Sequence, residues 1–147
     1  MSLARAAAAS GDSALARAHA DTLIRIGTAE LEARRARGGV DPFGRQSIIE
    51  ANVAVALAIR GERERAVRLA EGSVKRFGLE RDAIEGAGLM QYLALTYMLA
   101  GRRADAIATL ERLLAVPSTQ TVQLLRLDPT YDSLRGEPAF QRLVAAR

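Results

Sequence analysis

Three features of the 147-residue chain predict an all-α fold of stacked antiparallel helical hairpins. No window alternates apolar and polar residues with period two between turn signals, which argues against a sheet. Alanine is abundant, aromatics make up only 4% and tryptophan is absent, so the core is one of small and aliphatic side chains suited to close helix packing. Third, a segment repeats: Leu57 to Ala70 aligns without gaps on Tyr97 to Leu110.

Each copy reads as the apolar end of one helix, a glycine, a short charged stretch and an alanine-apolar pair opening the next helix. Gly61 and Gly101 supply the left-handed backbone that closes the first helix without a Cβ clash. Five residues on, Ala66 and Ala106 are small where two antiparallel helices come closest. A clipped third copy runs from Gly11 to Arg17, with Gly11 and Ala16 at the same spacing and Asp12 or Ser13 able to cap the following helix. The three glycines lie 50 and 40 residues apart.

Taken in order, Ala14 to Arg37 predicts one long helix, ended by Gly38-Gly39 and a turn at Asp41-Pro42. Helices follow over Arg45–Arg60 and Glu62–Arg76, the second closed by Phe77-Gly78. Asp82–Ala100 and Arg103–Ala115 make the next pair, stopped by Pro117. Beyond it, Ser118 or Thr119 caps a short helix carrying Val122, Leu124 and Leu125. Asp128 is the N-cap of a turn opened by Pro129, and Pro138 sits in the first turn of the last helix. Tyr131, Leu134, Phe140 and Leu143 then cover the end of the stack, which would otherwise expose an apolar face. The length suits one core. Residues 1–147 therefore read as a single domain: a clipped hairpin over 1–40, hairpins over 44–78 and 82–117, and a cap over 118–147.

Composition also limits what the chain can do. Without cysteine there are no disulfides, thiolate metal sites or cysteine nucleophiles. The net charge of +4 could favour an acidic partner, but the basic residues alternate with acids, as in Arg60 to Arg65, and form no single-sign stripe. Nucleic acid is not an expected partner. Lys75 is the only lysine, and the joint enrichment in arginine and alanine is typical of a GC-rich genome. The alanine run at residues 6–9 is too short for a secretory core, and Ala87 to Ala100, interrupted by Gln91, is too short for a membrane span. A soluble, cytoplasmic protein with no membrane partner is expected.

His19, the only histidine, falls mid-helix between Arg17 and Asp21, where a surface or packing role accounts for it. No Gly-x-Ser-x-Gly elbow accompanies it. Gly86-Ala87-Gly88 begins a dinucleotide-like pattern, but Gln91 stands where the third glycine belongs and no strand precedes it. Glu62, Glu64, Glu71 and Glu111 lie in charged helical segments explained by solvated faces. No enzyme activity, cofactor or metal is expected.

The order Leu93-Ala94, Tyr97, Gly101, Ala106, Leu110 and Pro117 resembles the tetratricopeptide repeat family. A weaker unit has Val53-Ala54, Leu57, Gly61, Ala66 and Ala70. The spacings exceed the family's usual repeat of about 34 residues, the excess going into longer helices and connectors. Leu113 to Ser118, Leu125 to Arg135 and Pro138 to Phe140 resemble the ending of bacterial tetratricopeptide tails carried by serine/threonine kinases, adenylate cyclases and winged-helix regulators. No effector domain accompanies them here, which points to a stand-alone relative, a separated tail or an excised piece.

The resemblance implies an α-α superhelix with a C-terminal helical cap, and a docking or regulatory element for a protein or peptide partner. It assigns the concave face to Ile48, Asn52, Val55 and Ile59 of one hairpin and Gln91, Tyr92, Leu95 and Met98 of the next. The subtype that grips carboxylates uses Lys and Arg there, and these positions offer none, leaving an apolar groove with Asn52, Gln91 and Tyr92 as hydrogen-bonding groups. Two alternatives stay open: self-association into a structural scaffold, and a groove filled by the long first helix.

Overall fold

Residues 13–38 and 42–145 are described by the structure, a computed structural model. Seven α-helices, one 3-10 helix and no strand occur among them. The helices are α1 (Ser13–Arg37), α2 (Arg45–Ile59), α3 (Arg63–Arg76), α4 (Ala83–Leu99), α5 (Arg103–Leu114), α6 (Val122–Leu127) and α7 (Pro138–Ala145), with the 3-10 helix Pro129–Leu134 between the last two. Gly11, Asp12, Gly39 and Asp41, which mark the clipped repeat and the turn after α1, lie outside the described residues. Gly38, at φ 63°, has the left-handed backbone expected at the end of α1.

The two repeated junctions fold alike. Gly61 and Gly101 are left-handed, at φ 87° and 81°. The Gly61 amide donates to the Ala58 carbonyl (3.0 Å) and the Glu62 amide to Leu57 (2.9 Å). Gly101 to Met98 (3.0 Å) and Arg102 to Tyr97 (2.8 Å) repeat the pattern. These paired bonds satisfy carbonyls that a helix end leaves free, and turn the chain back on itself. Ala66 and Ala106 are both 0% exposed, so each second helix meets its partner on a methyl group.

Packing runs between consecutive helices from α1 to α5, and α2 additionally rests against α4. The main core joins Ala54 of α2, Val67 and Ala70 of α3, Leu93 and Tyr97 of α4 and Leu110 of α5 to the cap residues Leu125, Tyr131, Leu134 and Phe140. Close approach at α1 depends on Gly27: a Cβ there would stand 2.3 Å from Val53 Cγ2. Asp21 and Arg60 pair across the same interface at 2.8 Å.

Several polar groups inside the stack are matched, whereas the fully buried Ser47 hydroxyl has no partner among the described residues. The buried Glu50 carboxylate accepts from the Arg76 guanidinium and from Gln46 Nε2 (3.0 Å), tying α2 to the end of α3. Ser73, Thr96 and Thr109 hydroxyls donate to carbonyls of the preceding turn. Between hairpins, the Tyr97 hydroxyl donates to Glu71 Oε1 at 2.7 Å, and the Arg102 guanidinium lies 4.9 Å from the Tyr97 ring centroid.

Burial, with the Glu71 carboxylate adding to it, pushes the Tyr97 phenol up to about 12. The unfolded chain releases that proton near its ordinary value of about 10, so the stabilisation is intact below pH ~10 and lost as pH rises toward ~12. Urea unfolding from about pH 9 to about pH 11.5 is expected to show a steeper loss of stability for wild type than for Tyr97→Phe. Parallel slopes would rule out this linkage.

The cap departs from the sequence reading in one respect. The residue that caps α6 is Thr121, whose hydroxyl accepts from the Leu124 amide at 3.2 Å, rather than Ser118 or Thr119. The Ser118 hydroxyl instead donates to Leu113 O at 3.2 Å and finishes α5. Val122 is half-buried and Leu124 exposed, so α6 is anchored through Leu125. Asp128 caps the 3-10 helix by accepting from the Thr130 amide at 2.8 Å, and Pro138 opens α7, both as expected. Tyr131 and Phe140 stack with ring centroids 6.5 Å apart.

Candidate functional site

The packing of α2 against α4 brings Ile48 and Tyr92 onto one cluster, and the other expected groove residues lie at different depths. Val55 and Leu95, on the same stripes of α2 and α4, are only 4% and 7% exposed. Ile48 and Tyr92 are half-buried and pack together on a small cluster of Ala51, Phe77 and Leu89. Asn52 is half-buried, and its amide donates to the Ile48 carbonyl of its own helix at 2.8 Å, leaving its side-chain oxygen as the acceptor toward solvent. Ile59 lies farther along α2, lining a separate cleft of about 430 Å3 with Ala16 and Arg17 of α1 and Leu99 of α4.

Gln91 and Met98 face elsewhere. Met98 packs against the main core. The Gln91 amide donates to Gln120 Oε1 at 2.8 Å, and the Tyr131 hydroxyl donates to the same oxygen at 3.1 Å. Gln120 is 6% exposed, and its Nε2 has no acceptor among the described residues. These amides edge a cavity of about 210 Å3 whose apolar wall includes Ala87, Leu113, Pro117 and the exposed Ile84. Nothing local distinguishes Gln120 from its polar neighbours Ser118, Thr119 and Thr121. Its role depends on where the cap returns to α4.

The long first helix lies against α2 and faces α3: Ile24 packs on the Val53–Leu57–Ala66 cluster, and Leu31 and Arg35 line a cavity with Arg68 and Leu69. Its first turns, at Ala16 and Arg17, line a cleft with Leu99 of α4. The cluster beneath Ile48 and Tyr92 draws on α2, α4 and the end of α3, and α1 meets α2 at Ile49 and Val53.

Ile48 and Tyr92 present apolar surface there, with the Asn52 side-chain oxygen and the Tyr92 hydroxyl as polar groups on the same two helices. His19 is half-buried on α1, and its imidazole bonds to no described residue. Among the described residues no three His, Asp or Glu side chains come together as a metal-binding set. No described helix is long and apolar enough to cross a membrane. Comparisons with models of known protein families, with curated proteins and with solved structures find no match to this chain.

Proposed function

We propose that the chain is a non-catalytic protein-interaction module, a short tetratricopeptide-like solenoid whose α2–α4 seam docks a peptide or helix of a partner. The observation that carries this reading is the repeated junction: left-handed glycine, paired capping bonds and fully buried alanine recur 40 residues apart, while α2 touches α4. Repetition of this kind aligns equivalent helices and turns their side chains into one continuous surface. Half-buried Ile48, Asn52 and Tyr92 supply an apolar contact with hydrogen-bonding groups at its edge. The family-like ending adds a role as a docking or regulatory element of a bacterial signalling or transcription system, in the cytoplasm.

A random-peptide display selection against the purified protein tests this. Peptides should be enriched, and they should lose about tenfold or more in affinity for an Ile48→Glu/Tyr92→Glu variant that keeps its helical circular dichroism. Failure to enrich any peptide, or equal binding to the variant, would count against the seam.

Self-association is the second reading, favoured by Ile84 and Phe43, which are 82% and 74% exposed. It predicts a concentration-dependent mass in light scattering that an Ile84→Ser/Phe43→Ser variant abolishes. A wild-type monomer at high concentration removes it.

A further inference from the structure

The α2–α4 seam residues carry no cation. A cleft elsewhere carries three. Between α1 and α3, a cavity of about 350 Å3 has Arg35, Arg65 and Arg68 among its lining residues, over apolar side chains from Leu31, Val53 and Leu69. No carboxylate lines it among the described residues. Arg65 is paired with Glu62 at 3.0 Å in an exposed i,i+3 contact, whereas Arg35 and Arg68 pair with no acid among the described residues.

The arrangement is set by packing rather than by chance exposure. Gly27 lets α1 close on Val53, which places Leu31 and Arg35, one and two turns farther on, opposite α3. There Arg65, Arg68 and Leu69 complete the cleft. Two guanidinium groups with no carboxylate partner among the described residues, held over an apolar floor, favour a ligand that brings both negative charge and apolar surface.

We infer that this cleft binds an acidic peptide segment, with an apolar side chain on the Leu31–Val53–Leu69 floor and flanking carboxylates on Arg35 and Arg68. Nucleic acid fits less well: no aromatic side chain lines the cleft for base stacking, and three cations are few for tracking a phosphate backbone. The surface is separate from the α2–α4 seam, so Ile48→Glu/Tyr92→Glu leaves this binding intact and either site can fail alone.

Fluorescence anisotropy with a labelled peptide carrying one leucine between pairs of glutamates tests the inference. The peptide should bind the full chain, and replacing its glutamates by glutamines or its leucine by serine should weaken binding. Arg35→Gln/Arg68→Gln should weaken it by about tenfold, while Lys75→Gln/Arg112→Gln, which removes the same charge elsewhere, should leave it unchanged. All four substituted positions are exposed, and circular dichroism checks that both variants stay folded. The inference is overturned if the glutamate peptide does not bind, if both double variants weaken it equally, or if a single-stranded oligonucleotide binds more tightly and displaces it.

Discussion

Phe140→Ala is expected to destabilise the protein by about 3–5 kcal/mol, the range for truncating a fully buried phenylalanine. Phe140 is 1% exposed and belongs to the core that runs from Ala54 on α2 to the cap. Its ring stacks on Tyr131, so truncation removes an aromatic contact as well as buried area. The loss should not stay local. Leu134 and Leu125 rest in the same cluster, and a loosened cap exposes the apolar side of α5 at Leu110. Urea unfolding should therefore show a lower midpoint, and light scattering a rise in association. Leu127→Ala is the control, since Leu127 is 78% exposed in the same segment and its truncation should change stability little. A Phe140→Ala loss below about 1 kcal/mol would mean that the C-terminal segment is an appendage rather than a cap.

Much of this architecture was legible because helices and their ends are written locally. A glycine after an apolar run and an alanine five residues later announced both hairpin turns, and the structure has the paired capping bonds and the buried methyl groups at those positions. Asp128 before Pro129 was equally readable, since one carboxylate two residues from an amide suffices for the cap. What escaped depends on distant partners. Thr121 caps α6 because Ser118 is drawn back to Leu113 O, a competition among adjacent hydroxyls that composition does not rank.

The candidate seam divides the same way. Helical spacing puts Ile48, Asn52 and Val55 on one stripe of α2, and Tyr92 and Leu95 on one stripe of α4. Periodicity is silent on depth: Val55 and Leu95 are buried, whereas Ile48, Asn52 and Tyr92 are half open. Gln91 is one residue from Tyr92 yet turns to Gln120, 29 residues away in the chain. No reading of α4 alone could have found that partner.

The glycines of α4 give a second large effect, and one with an internal control. Gly86 and Gly88 both occupy the helix, where alanine is intrinsically preferred by about 0.8–1.0 kcal/mol. A Cβ on Gly88 would meet nothing within 4 Å, so Gly88→Ala should stabilise by about 0.5–1 kcal/mol. At Gly86 the Cβ would stand 2.5 Å from the Gly78 carbonyl carbon and 2.5 Å from the Leu79 amide nitrogen. Those are backbone atoms of the α3–α4 connector, which cannot swing aside as a side chain would. Gly78 is itself crowded, since its own Cβ would lie 2.8 Å from Val74 O. Moving the connector away from α4 would disturb Phe77, which packs on Ala51 and Leu89 beneath Ile48 and Tyr92. Gly86→Ala should therefore cost about 1–3 kcal/mol despite its better helix propensity. The same substitution two residues apart is thus expected to change the urea midpoint in opposite directions. A shared sign would mean that the α3–α4 connector does not press on α4 as described. Because Phe77 supports the seam, Gly86→Ala should also weaken any peptide selected on the Ile48–Tyr92 surface, whereas Gly88→Ala should leave that binding unchanged.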